Sequence, residues 1–250
     1  AIGGYIGAKL AKAGADVVLH ARGAHLAAMR ERGLRVLSAE GDFEVRPPVT
    51  GDLASIGQAD VVFLGVKAHG LTALAPSLPP LFGPETVVVS TQNGIPWWYF
   101  QVGGGDLQGL RLERVDPKSE RARRIAEALI GAGFRCPVTP RFRHELWVKL
   151  LGNVAFNPIS ALTRGTLEQI ARHAEVSRLV REVMVETEAV AARLGIELPI
   201  SIDQRMAGAE KVGAHKTSML QDLEAGRPME LEAVVGVKDW SEVIHTAPIR

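Results

Sequence analysis

Cysteine is nearly missing from this chain: Cys136 is alone among 250 residues. One thiol closes no disulfide within the chain and builds no cysteine zinc centre. Such a composition suits a reducing compartment, so a cytoplasmic protein is expected, with Cys136 a packed small hydrophobe. Aromatic residues are scarce too, at 5%. No basic stripe runs between them, which argues against a nucleic-acid partner. Neither sign of charge prevails, with 29 Lys+Arg against 28 Asp+Glu. No apolar run approaches the ~20 residues of a membrane helix, and no charged start with an apolar middle marks a signal peptide. The seven histidines show no metal-ligand spacing. A soluble protein without metal, membrane or nucleic acid is therefore expected.

Apolar residues, at 46%, are enough for one large or two modest cores. The chain opens with Gly3 and Gly4 inside a run where Ile2, Ile6 and Leu10 recur every four residues. That period predicts an amphipathic helix, closed by Gly14. Residues 16–20 read as a short strand, followed by Arg22 and a helix from Ala24 to about Arg32. A glycine-started helix, a strand and a basic residue at the strand end form the second half of a dinucleotide-binding unit. The complete fingerprint is a strand and then G-x-G-x-x-G. Gly3 takes the place of the third glycine, so the first strand and first two glycines are expected upstream of residue 1. An arginine at this strand end suits the 2′-phosphate of NADP, where an acid would suit NAD.

Residues 34–37 and 43–46 read as a hairpin around Gly41 and Asp42. Residues 60–66 form a continuous apolar run, as a buried parallel strand does, and lead into Lys67, Ala68 and His69. Residues at the carboxyl ends of such strands line the ligand crevice, which makes Lys67 a candidate for cofactor phosphate. A helix is expected over 71–78 and a second buried strand over 86–91, leaving through Gln92, Asn93 and Gly94. Asn93 is again at the crevice end. Gly103, Gly104, Gly105 and Gly109 read as loop, and no further strand is expected before the helix of residues 118–130. The switch from strand-rich to helical pattern puts a boundary near 116–120. Residues 1–117 are then an NADP-binding domain and 118–250 a helical domain, to which the resemblance given below assigns the substrate and catalytic groups.

Residues 143–162 predict a long helix, because Leu146, Trp147, Leu150, Leu151, Val154, Ile159 and Leu162 recur at threes and fours. Lys149, Asn153 and Asn157 fall at i, i+4 and i+8 and share one face. Asparagine is a poor residue inside a helix. Two of them beside a lysine, among few other polar residues, point to groups kept for a ligand. Pro158 is expected to bend the helix. Further helices are expected over 167–172, over 176–194 with a buried stripe including Leu179, over 199–212, and from Met229.

Taken in order, Gly3 and Gly4, Leu19 to Arg22, Val66-Lys67, Gln92 to Gly94, the Lys149/Asn153/Asn157 helix running on to Leu162, and Lys216 to Asp222 resemble the ketopantoate reductase (2-dehydropantoate 2-reductase) family. The resemblance runs from residue 1 to about Val237. It implies an α/β fold: an N-terminal Rossmann-like parallel sheet, its first strand missing from residues 1–250, followed by an all-α domain. It implies NADPH-dependent reduction of 2-dehydropantoate to (R)-pantoate. By the same resemblance Lys149 is the general acid and Glu230 a second catalytic group, able to pair with Lys149. Asn93, Asn153, Asn157 and Ser218 bind substrate. Gly3, Gly4, Arg22, Lys67 and Asn93 bind cofactor. Asp222 braces the local backbone. Residues 237–250 depart from the family pattern. Trp97 and Trp98 read as packing surface or subunit contact, with a homodimer as the candidate assembly. Two alternatives stay open: a related NADPH-dependent 2-keto acid reductase, and a truncated, non-catalytic remnant of the family.

Overall fold

The structure is a computed structural model that describes residues 2–38, 40–96, 99, 106–107 and 110–111 (backbone), and 119–236. It divides into two compact units, Ala1–Gln92 with Gly103–Pro140, and Asn93–Val102 with Arg141–Arg250.

In the first unit, helix α1 (Ile2–Lys12) is followed by strand β1 (Leu19–His20), helix α2 (Gly23–Arg32), and strands β2 (Leu34–Val36), β3 (Phe43–Val45) and β4 (Val49–Thr50). Strand β5 (Val61–Leu64), helix α3 (Ala68–Leu74) and strand β6 (Val87–Ser90) come next. β1 pairs with β4 and β5 with β6, both parallel, while β2 and β3 form an antiparallel hairpin. The two parallel pairs are joined through helices, the connection that parallel strands require.

Several elements depart from the sequence pattern. The helix expected over 71–78 starts earlier, at Ala68, and ends at Leu74. Pro76, Pro79 and Pro80 lack the N–H donors an α-helix needs, and the chain continues as 3-10 turns at Ala75–Ser77 and Pro79–Leu81. β6 is half-buried along its length rather than sealed, and β5 alternates between buried and half-buried. Strands β7 (Asp106–Leu107) and β8 (Leu110–Arg111) form a short antiparallel pair where only loop was expected. Two intervening residues are the commonest hairpin connection; Gln108 and Gly109 themselves lie outside the described residues. Helix α4 (Glu120–Gly131) closes the unit. Residues 116–118 of the expected domain boundary lie outside the described residues, as do Trp97, Trp98 and 237–250.

Lys9 holds three parts of this unit together. Its ammonium donates to Glu40 Oε2 at 3.1 Å and to the Gly133 carbonyl at 3.4 Å, and lies 4.9 Å from the Phe134 ring centre. Tyr5, one turn earlier on α1, meets Phe134 edge-on at 5.6 Å. α1 is thereby fixed to the chain after β2 and to the end of α4.

The second unit is built on α5 (Phe142–Thr163), 22 residues that run unbroken through Pro158. Around it lie α6 (Leu167–Arg172), α7 (Ala174–Arg193), α8 (Ile202–Val212), α9 (Ser218–Glu224) and α10 (Leu231–Val234). Leu151, Ala155, Phe156 and Ile159 of α5 pack with Ile170, Val180, Met184, Met206 and Ala209. Trp147, Leu150 and Val154 pack with Tyr99, Ala191, Ile196, Met219 and Val234. Trp147 is fully buried and donates its indole N–H to Tyr99 Oη at 2.7 Å. Burial pushes the Tyr99 phenol above its ordinary pKa, against the opposing effect of that hydrogen bond. Ser201 and Thr166 cap α8 and α6 through complete capping boxes with Gln204 and Gln169. Two apolar residues depart from the expected stripes: Leu162 is 84% and Leu179 49% exposed. Both face away from the helices that cover the rest of their elements.

Candidate functional site

The polar line on α5 is graded. Lys149 is exposed, Asn153 half-buried and Asn157 buried. The face is thus covered at its carboxyl-terminal end and open to solvent at Lys149. Among the described residues, none of the three side chains makes a hydrogen bond or ion pair. No described partner takes up these groups, which leaves the face available to a ligand.

Glu230 immediately precedes α10. Its carboxylate accepts a hydrogen bond from Asn93 Nδ2 at 3.5 Å and does not form the ion pair with Lys149 that the resemblance allowed. Lys149 itself is exposed on α5. The Asn93 loop is pinned by Gly94. Its φ is +84°, and a Cβ there would lie 1.8 Å from the Ala233 carbonyl oxygen. Only glycine allows the loop this close to α10.

Ser218 is exposed at the first position of α9. The residue before it, Thr217, is buried and caps the helix: its hydroxyl accepts from Leu220 N at 3.2 Å and donates to Ser160 Oγ at 3.0 Å. Ser160, 0% exposed, donates onward to the Gly165 carbonyl at 3.1 Å. One end of the α5 polar line is thus tied to the helix that carries Ser218. Buried Asp222 accepts from Arg227 Nε at 3.2 Å, and Arg227 N donates to the Asp222 carbonyl at 2.8 Å, the bracing expected of it.

Of the candidate cofactor residues, Gly3, Gly4, Arg22 and Lys67 lie in the first unit and Asn93 in the second. Gly3 and Gly65 are in backbone contact: a Cβ on Gly65 would lie 2.4 Å from Gly3 Cα, and one on Gly3 3.2 Å from Gly65 Cα. This is the close helix–strand packing that the third glycine of the dinucleotide fingerprint serves. Gly4 is half-buried beside it. Arg22 lies two residues beyond β1, is exposed, and its side chain has no hydrogen-bond or ion-pair partner among the described residues. Lys67 is half-buried at the entry to α3. A free guanidinium just past the strand end and a glycine-bare helix start fit a dinucleotide carrying an extra phosphate.

Gly65, Ser160 and Thr217 escaped the sequence reading. Thr217 carried a signal, a hydroxyl residue just before an apolar helical run. Ser160 lay three residues beyond Asn157, on the same face. Gly65, inside an apolar strand run, gave the usual hint of a close backbone approach.

Parallel strand pairs with a glycine-seated helix, followed by a helical unit bearing the unpartnered polar face, define a Rossmann-like protein with an all-α partner unit. Two family models match: "Ketopantoate reductase PanE/ApbA" over residues 1–96 and "Ketopantoate reductase PanE/ApbA C terminal" over 141–237. A 2-dehydropantoate 2-reductase of Mesorhizobium japonicum is 41% identical, covering 94% of this chain and 86% of that protein. One from Archaeoglobus fulgidus is 30% identical with the same coverage. The crystal structure of a putative ketopantoate reductase from Ralstonia solanacearum superposes with a TM-score of 0.85 at 32% identity, covering 100% of this chain and 90% of that one. The chain belongs to the ketopantoate reductase family.

Proposed function

We propose that this chain reduces 2-dehydropantoate to (R)-pantoate with NADPH. The observation that carries the reading is the unpartnered Lys149/Asn153/Asn157 face of α5 in a chain 41% identical to a 2-dehydropantoate 2-reductase. Residues 1–117 hold the cofactor in this reading, through Gly3, Gly4, Arg22 and Lys67, while residues 118–250 carry the acid–base and substrate-binding groups. Asn93 contributes to both and packs with the second unit.

The cofactor would supply a hydride to C2 of the keto acid. Negative charge then develops on the carbonyl oxygen. The Lys149 ammonium stabilises that charge and gives the oxygen its proton. Asn153 and Asn157 donate and accept without adding charge, so they orient the carboxylate and hydroxyl groups of the substrate. Ser218 adds a hydroxyl contact from α9. Glu230, already accepting from Asn93, takes a hydrogen bond from the substrate hydroxyl. A chain with one cysteine forms no internal disulfide, which supports a cytoplasmic setting. Exposed apolar residues on the second unit, Leu162 and Val185 among them, support a homodimer.

The test is NADPH oxidation on addition of ketopantoate, with Lys149→Ala alongside. Turnover should fall at least ~100-fold in the variant, the low end for a general acid. NADPH binding without turnover would transfer the reading to another 2-keto acid. Absence of both would remove it.

A further inference from the structure

Asn93 opens a stretch that belongs to the second unit, although β6 and Gln92 just before it belong to the first. Tyr99, six residues on, is 2% exposed, and α5 holds it at three points. Arg143 Nη2 donates to the Tyr99 carbonyl at 3.2 Å. The same guanidinium lies over the Tyr99 ring, 4.7 Å from its centre, inside the reach of a cation–π contact. Trp147, fully buried, donates its indole N–H to the Tyr99 hydroxyl at 2.7 Å. Arg143 and Trp147 are four residues apart on α5, so they share one face of the helix.

The stretch is fastened at its near end as well. Gly94 lies against the Ala233 carbonyl, and Asn93 donates to Glu230. Ile95 and Tyr99 pack in one cluster with Trp147 of α5 and Val234 of α10. Tyr99 N donates to the Pro96 carbonyl at 2.9 Å. A loose connection would spread Asn93 over many positions, and the entropy of ordering it would oppose any single one. Anchors at both ends remove that freedom before a ligand arrives. A side chain that only filled the core would need neither the phenol hydroxyl nor the hold on its carbonyl. Those two bonds fix the course of the chain. In the reductase reading Asn93 meets cofactor and substrate, Lys149 is on α5, and Glu230 stands at the entry to α10. The two helices that carry Lys149 and Glu230 are the two that fasten the Asn93 stretch.

We propose that Tyr99, gripped by Arg143 and Trp147, is a positioning residue. It fixes Asn93 relative to Lys149 and Glu230, and being buried it touches no substrate itself. This rests on the keto acid reductase reading.

The experiment measures kcat/KM for ketopantoate, with NADPH saturating, in the whole chain and in Tyr99→Phe and Arg143→Met. Each is made with Asn93 intact and with Asn93→Ser, and circular dichroism checks that every variant is folded at the assay temperature. A misplacement on the order of 1 Å can lower a rate ~100-fold, so Tyr99→Phe should lower kcat/KM at least ~10-fold when Asn93 is intact. In the Asn93→Ser background the same substitution should change it less than ~2-fold, because its effect runs through the side chain already removed. Arg143→Met should repeat the pattern. Arg143→Lys, which keeps a cation for the ring and the carbonyl, should recover part of the loss. If Asn93→Ser turns over too slowly to follow, the same cycle is read on the Kd of NADPH. A tyrosine that serves stability alone would lower both backgrounds by one factor, or neither. Either result would overturn the proposal and leave the reductase reading intact, while absence of turnover in the unaltered chain would remove both. Should Tyr99→Phe not fold, Arg143→Met, at the exposed end of the same grip, carries the comparison.

Discussion

Asn93 and Glu230 are 137 positions apart and meet through one hydrogen bond, and Gly94 makes the meeting possible. Alanine at 94 would have to hold φ near +84° and push its Cβ into a backbone carbonyl. Neither side can yield cheaply, because the obstacle is main chain on both. Gly94→Ala should destabilise the protein by about 1–3 kcal/mol in urea unfolding, the range for strained backbone. It should also separate Asn93 from Glu230. A misplacement on the order of 1 Å at a reacting site can lower the rate ~100-fold, so kcat/KM for ketopantoate should fall by about that much. A variant that loses stability but keeps its kcat/KM would show that the Asn93–Glu230 contact is structural. Both residues were legible from the sequence through their family motifs. Their contact was not, because spacing along a chain says nothing about which loops a fold closes against each other. The same limit explains why Lys149 was expected to reach Glu230 and does not.

Elements were legible in proportion to their period. α5 was visible because apolar residues at threes and fours fill a whole face, and only its exposed Leu162 breaks the pattern. What the period could not show is how its polar face ends. Ser160 and Thr217, 57 positions apart, share a buried hydrogen bond that anchors α9 beneath Ser218. Thr217→Val should lose both the helix cap and that bond. The cost expected is about 1–2 kcal/mol from the cap, together with the loss of the bond Ser160 accepts, while its donation to Gly165 remains. Thr217→Ser preserves both and should restore stability. If Ser218 contacts substrate, KM for ketopantoate should rise in Thr217→Val and return in Thr217→Ser, while KM for NADPH stays constant. A KM that stays put while stability falls would separate Ser218 from the substrate.

Across the whole molecule, α/β followed by all-α was legible from the pattern along the chain and from the family resemblance: continuous apolar runs with glycines first, amphipathic helices after. The short strands were less so. β1 and β4 are two residues each, too short for a hydrophobic run to outline. Yet a residue two positions beyond β1 is the one that should decide which cofactor the molecule takes. Arg22 has extended backbone, φ −135° and ψ 159°, and stands at the N-cap of α2 without a side-chain cap hydrogen bond. An arginine is a poor cap and an aspartate a good one; an aspartate also suits the positive end of the helix dipole. Arg22→Asp should therefore stabilise the protein by about 0.5–2 kcal/mol. For the cofactor the sign reverses. The 2′-phosphate of NADPH would lose a charged hydrogen bond and gain a repulsion, a loss of at least ~10-fold in affinity, while the ribose hydroxyls of NADH would gain an acceptor. Thermal unfolding and the ratio of KM for NADPH to KM for NADH, measured on the same preparation, read the two effects separately. A more stable variant with an inverted cofactor preference places the 2′-phosphate at Arg22. A more stable variant with an unchanged ratio would move that phosphate elsewhere, with Lys67 the next residue to replace.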